Sequence, residues 1–133
     1  VQIAKHMGAH VTGVAGASNG GLVASLGADE VIDYRKQDFT EGTEKYDVIF
    51  DAVGKTTAKK TEGVLAKHGR FVSTRKRRRE KAEELHAVQE MLATGAVRAL
   101  IDRSYILDQI SEAHRYVEGG RKRGNVVVVV AQG

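Results

Sequence analysis

The chain has 133 residues, 41% hydrophobic and 29% charged, with a net charge of +4 and a pI near 9.4. That is one domain's length, and the composition is that of a globular protein with a real core. The absence of cysteine excludes disulfides, thiol catalysis and cysteine-ligated zinc. The longest apolar run, Val126 to Ala131, is strand-sized, far short of the ~18 residues of a membrane helix. With no basic-then-apolar leader, a cytoplasmic protein without a membrane partner is expected. Proline is also absent, a feature without a physical account.

In chain order, residues 1–7 read as a helix tail stopped by Gly8, since glycine accepts the left-handed conformation that ends helices. A strand is expected over His10 to Ala15, a flexible loop over Gly16 to Gly21, a short helix over Leu22 to Leu26 and a strand over Glu30 to Tyr34. Tyr46 to Ala52 is the strongest strand. Its apolar run Val48, Ile49, Phe50 suits a strand covered on both faces. Thr56 or Thr57 can cap a helix reaching about Lys67, with Gly69 as its stop and Arg70 to Thr74 as the next strand. Strands alternating with helices at this spacing predict an α/β fold with a parallel sheet.

The second half changes character. Arg79 to Thr94 reads as an amphipathic helix with Ala82, Leu85, Val88 and Leu92 on one face. A short strand is expected at Val97 to Ile101. A helix comes next over Leu107 to Glu118 with Ile110, Ala113 and Val117 inward, then a basic turn and the valine strand. The boundary falls after Thr74, giving a core over residues 1–74 and a helical part over 75–133 that closes on the valines.

Several segments resemble the cofactor domain of medium-chain dehydrogenase/reductases, in the quinone oxidoreductase-like, zinc-binding dehydrogenase group. They are AKHMGAHVTGV at Ala4 to Val14, SLGADEVIDY at Ser25 to Tyr34, YDVIFDAVG at Tyr46 to Gly54 and GRFVST at Gly69 to Thr74. IDRSY at Ile101 to Tyr105 and EAHRYVEGG at Glu112 to Gly120 complete the set. The order of these motifs is more specific than any one of them. The resemblance implies a Rossmann-like parallel sheet and NADPH-dependent reduction of quinones, enones or related carbonyls, usually without bound zinc. It also implies that the first strand and glycine-rich phosphate turn, a sixth strand after Thr74 and a catalytic domain are missing, so that the chain is a truncated domain.

The family's cofactor contacts map onto seven residues. The second strand's end, Val14 to Ala17, has no acid to bind the ribose hydroxyls of NAD, which favours NADP. Ser18 and Asn19 stand where the ribose phosphate is held, or in a plain connecting loop. Tyr34 can flank adenine or shield the core. Val53 and Gly54 lie at the carboxyl edge of the sheet, where backbone can approach the cofactor or simply turn. Ser73 and Thr74 can line the nicotinamide side or cap the next segment of chain. No catalytic residue is assigned: Asp47 and Asp51 read as structural, and the five histidines lack metal-ligand spacing, so no metal is expected. Without the phosphate turn, NADP binding is expected to be weak or absent and the isolated chain inactive. The other readings are an interaction or assembly module, or a basic nucleic-acid binder.

Left at an edge, five consecutive valines at Val126 to Val130 invite strand pairing. Two arrangements are expected to avoid this: the valine strand fills the central place of the missing first strand, between those at Val11 and Val48, or it pairs with its copy in a homo-oligomer. The basic run Arg75 to Arg79 has no interleaved aromatic residue to stack on bases and reads as solvated charge. Replacing residues 75–79 by alanine is therefore expected to leave nucleic-acid binding at physiological salt unchanged, as measured by fluorescence anisotropy.

Overall fold

The computed structural model describes residues 1–75 and 82–130. Most of the basic run, residues 76–79, lies outside the described residues, as does Ala131.

The first unit comprises α1 (Gln2–His6), β1 (Thr12–Ala15), α2 (Ala17–Ser25) and β2 (Glu30–Asp33). β1 and β2 pair in parallel, Thr12 opposite Glu30 through Ala15 opposite Asp33. Parallel neighbours need a crossover, and α2 supplies it, packing on both strands. Gly13 permits that packing: a Cβ there would lie 2.3 Å from Cγ1 of Val23. Residues 16–21, expected as a loop, are therefore mostly helix. Gly20 and Gly21 lower helix propensity, but contact with the sheet overrides a penalty of about 1 kcal/mol each.

Asp29 holds this unit's near end. Its carboxylate takes Lys5 Nζ at 2.8 Å and the Val11 amide at 2.7 Å, joining α1 to the start of β1. The lysine contact, with the amide behind it, holds the Asp29 carboxyl below its usual value.

The second unit is β3 (Tyr46–Asp51), α3 (Ala58–Thr61), a 3-10 turn (Glu62–Val64) and β4 (Leu65–Ser73), with β3 and β4 parallel. Thr57 caps α3, its hydroxyl accepting from the Lys60 amide at 3.3 Å. The helix is shorter than expected and the strand longer. Tyr46 already pairs with Leu65, after which the register slips until Val48 meets Arg70. Gly69 thus sits within the slipped part of β4 and is not a helix stop. A Cβ there would lie 2.8 Å from the Tyr46 carbonyl oxygen, so only glycine allows the strands this close. Phe39, in a 3-10 turn (Phe39–Glu41), meets Tyr46 edge-on at 6.2 Å. Lys60 closes on Asp38 at 2.7 Å, and the Asp38 carboxyl falls to about 2 through Lys60 first and then Thr40.

α4 (Ala82–Ala93) leads into the third unit. That unit is β5 (Ile101–Ile106), a 3-10 turn (Leu107–Gln109), α5 (Ile110–Glu118) and β6 (Asn125–Val129). The expected strand at Val97 begins only at Ile101. β6 pairs in parallel with β5, Tyr105 opposite Val128. This corrects the first placement expected for the valines: β6 does not fill the centre of the sheet, because β5 takes it as a neighbour. Gln2 joins α1 to the segment before β5, its side-chain amide donating to the Arg98 carbonyl at 3.0 Å and accepting from the Arg98 amide at 2.9 Å.

The three strand pairs are not hydrogen-bonded to one another. The chain exposes 10552 Å², against about 6,800 Å² for a compact monomer of 14.4 kDa. Only Ile49, Val64 and Ala113 are buried apolar side chains among the described residues. The two-sided burial expected of β3 is corrected: Ile49 and Asp51 are buried, but Val48 and Phe50, on the alternate face, are 61% and 62% exposed. The apolar face of α4 is likewise uncovered, with Leu85, Val88 and Leu92 exposed. In α5 only Ala113 is buried, while Ile110 and Val117 stay exposed.

Val64, 1% exposed, is the most deeply buried apolar residue. Val64→Ala removes two buried methyl groups at ~0.8 kcal/mol each and leaves a cavity, so a loss of about 1.5–2.5 kcal/mol is expected in urea unfolding.

Candidate functional site

The seven candidate residues gather in two clusters, each at the carboxyl end of one strand pair. Parallel α/β sheets place ligands at this edge.

The first cluster stands where β1 passes into α2. β1 ends at Ala15 and Gly16 is the N-cap of α2, with no side chain capping the helix. Ser18 and Asn19 are therefore in the first turn of α2, not in a loop. Ser18 is exposed. Asn19 is half-buried, and its Oδ1 is enclosed without a hydrogen-bond partner. Tyr34 comes from the end of β2, held by its amide on the Ala15 carbonyl at 3.2 Å. Its ring lies against Gly16, where a Cβ would sit 3.4 Å from the phenol oxygen. Ser18, Asn19 and Tyr34 thus surround one uncapped helix start, whose free amides and positive dipole favour an anion. Sequence reasoning missed Arg35. Its guanidinium carbon stands 5.9 Å from the Tyr34 ring centroid, and its amide is held by Asp33 Oδ1 at 3.1 Å. An arginine directly after a strand-end tyrosine was the available signal.

The second cluster is built on Asp51, the last residue of β3. Its buried carboxylate accepts four backbone amides: Oδ1 takes Gly54 at 2.8 Å, Val53 at 3.2 Å and Lys55 at 3.3 Å, and Oδ2 takes Thr56 at 3.3 Å. Burial alone pushes this carboxyl up. The amides of Gly54, Thr56, Lys55 and Val53 together outweigh burial, and the net shift is downward. Asp51 is thus a structural anchor that winds residues 52–56 around itself. Gly54 is the pivot, at φ +75°, buried, with the Arg75 side chain across it so that a Cβ would fall 2.5 Å from Nε.

Ser73 and Thr74 complete this cluster from β4. Thr74 donates its amide to the Asp51 carbonyl at 3.2 Å and its hydroxyl to the Ala52 carbonyl at 3.3 Å. Ser73 Oγ accepts the Arg75 amide at 3.3 Å. Val53 is 76% exposed at the rim. Thr56 Oγ1 is enclosed without a partner, the counterpart of Asn19 Oδ1. An unmet buried polar atom costs about 1–3 kcal/mol. Each cluster therefore offers one polar atom suited to a bound polar group, and the residues fit a nucleotide cofactor at this edge.

They do not fit zinc. The chain has no cysteine, and among the described residues no group of three or more histidine, aspartate or glutamate side chains can hold a metal ion.

Parallel strand pairs joined by helices, with the candidate turns at their carboxyl ends, are those of the Rossmann-type half of a medium-chain dehydrogenase/reductase. The chain belongs to the zinc-binding dehydrogenase family, whose model matches residues 26–128. It is 33% identical over 96% of its length to the 2-methylene-furan-3-one reductase of Solanum lycopersicum, covering 36% of that protein. It is 32% identical over 96% to the chloroplastic NADPH-dependent alkenal/one oxidoreductase of Arabidopsis thaliana, again covering 36%. The quinone oxidoreductase of Coxiella burnetii superposes with a TM-score of 0.70 at 25% identity, over 98% of this chain and 48% of that one. The chain thus spans half or less of the length of these relatives. No described helix is long and apolar enough to cross a membrane.

Asp51→Asn replaces an acceptor for four amides with a group that is half donor. Exchange of the Gly54 amide is expected to quicken by about tenfold in hydrogen-exchange measurements. Because the folded carboxyl lies below 3.8, the stability it contributes is present above that pH and lost as pH falls through the folded value. The difference in thermal midpoint between wild type and variant should therefore shrink in acid.

Proposed function

We propose that this chain is a partial NADP(H)-binding domain of a quinone- or enone-reducing oxidoreductase, and that it has no reductase activity by itself. The observation that carries the reading is the Tyr34–Arg35 pair standing over Gly16, beside the uncapped start of α2. A ribose 2′-phosphate there would meet helix amides, the Ser18 hydroxyl and one guanidinium, while no carboxylate at the end of β1 opposes it. Gly54 and the Ser73–Thr74 turn would take the nicotinamide end. The bound cofactor supplies hydride; the protein's part is to hold it and exclude water.

The weakness of binding comes from the few contacts this edge offers. The centre of a complete sheet carries the glycine turn that grips the pyrophosphate, and β1 and β3 are not joined by such a strand. Each absent charge-assisted contact is worth about 1.5–3 kcal/mol. The rest of a relative's length would supply the catalytic domain. A cytoplasmic location belongs to this proposal, and relatives with chloroplastic names show that members of the family also work elsewhere.

A second reading, an assembly module, is supported by the open strand pairs. In a homo-oligomer, packing of two faces would cover Val48 and Phe50, and pairing of edges would engage the valine strand. Gel filtration at micromolar concentration should then show a dimer, and Val128→Lys should shift it to monomer. A monomeric wild type rules this reading out.

For the cofactor, fluorescence titration is expected to give NADPH binding weaker than micromolar, and tighter than NADH. Arg35→Ala should remove that preference while leaving NADH binding unchanged. Micromolar affinity, or turnover of a quinone by the isolated chain, would contradict the proposal.

A further inference from the structure

The third unit carries a concavity that shares no residue with the two cofactor clusters. Arg103 from β5, Arg115 from α5, and Arg121 and Arg123 from the turn before β6 line an open depression of about 630 Å³ with Asp102 and Tyr116. Four guanidinium groups face one carboxylate.

That carboxylate is already engaged. Asp102 Oδ2 accepts the Tyr116 hydroxyl at 2.7 Å and the Arg123 amide at 2.6 Å, while Oδ1 stands 3.8 Å from Arg103 Nε. Asp102 therefore works as a brace. It fixes the phenol and ties the basic turn to the start of β5, which brings Arg121 and Arg123 beside Arg103. The amide of Arg123 and the Tyr116 hydroxyl hold the Asp102 carboxyl below its usual value, so the brace persists throughout the neutral range.

The arginines are arranged to receive something. Arg103 lies over the Tyr116 ring, 4.0 Å from its centroid, and also engages the Tyr105 hydroxyl, so its planar fork is held in place beside the hollow. Arg115 uses Nε on the Ser111 carbonyl at 3.3 Å. Among the described residues, neither Arg121 nor Arg123 forms an ion pair. Gathering like charges around a hollow is unfavourable until an anion enters, and guanidinium forks match phosphate oxygens two at a time. Tyr116, the ring that lines the hollow, is covered by Arg103, which disfavours stacking of a nucleic-acid base there.

We propose that this concavity binds a ligand carrying two or more phosphate groups. Four arginines from three elements exceed what one phosphate needs, and the open mouth admits a small polyanion. The site is independent of the nicotinamide reading, because Ser18, Tyr34, Arg35 and Gly54 take no part in it.

Calorimetric titration of the full chain with inorganic pyrophosphate tests the assignment. Binding tighter than about 1 mM at low salt is expected, weakening as salt rises, with orthophosphate weaker still. The Arg121→Ala, Arg123→Ala double variant should lose about tenfold or more in affinity, and Arg121→Gln should show a smaller loss if the double variant fails to fold. Lys59→Ala on α3, which removes one charge as Arg121→Gln does, should keep wild-type affinity. The proposal is overturned by absent pyrophosphate binding, by equal losses in Lys59→Ala and the arginine variants, or by an oligonucleotide that binds more tightly than pyrophosphate.

Discussion

Each of the six strands has one hydrogen-bonded neighbour among the described residues, and the rest of the structure depends on that constraint. A parallel pair cannot close on a tight turn, so each pair brings its own connecting helix, and the helix covers what it reaches. α2 does this for β1 and β2, and α5 for β5 and β6. The faces and edges beyond that reach remain open, which is why Val48 and Phe50 stand in solvent while Ile49, between them in sequence, is buried. A strand lying between β1 and β3 would join the first two units into one sheet.

Against this open framework the loops at the carboxyl edge are tightly held. Four amides on Asp51 impose the path of residues 52–56 through hydrogen bonds that need no apolar core. Tyr34 and Gly16 fit one another in the same local way. The candidate site therefore depends on short-range bonds, whereas the sheet beneath it depends on neighbours that span more of the sequence. Of the two enclosed atoms without partners, Thr56 Oγ1 lies in the loop wound around Asp51 and Asn19 Oδ1 in the first turn of α2.

Much of this was legible in the sequence. The run Val48 to Phe50 marked β3, Thr57 marked the start of α3, and the alternation of strands and helices marked parallel pairing. What escaped was decided by contact between distant residues. Gly20 and Gly21 argue for a loop until Gly13 lets Val23 press α2 onto β1. Gly69 looks like a helix stop until its lack of a side chain allows β4 to approach Tyr46. The seven candidate residues could be named one by one from the sequence, but their division into two clusters could not. Neither Arg35 over Tyr34 nor Arg75 over Gly54 has a periodic signature, since each depends on how a turn is folded.

The link between Gln2 and Arg98 bears on how the chain is made. Its two hydrogen bonds join residues 96 positions apart. The ribosome adds Arg98 only 96 residues after Gln2, so the link cannot form until that whole stretch has been made. The first two strand pairs can form from local segments in the meantime, each closing a short loop of modest entropic cost. The clasp between α1 and Arg98 is then a late event, and until it closes Lys5 and Asp29 tie α1 to the start of β1.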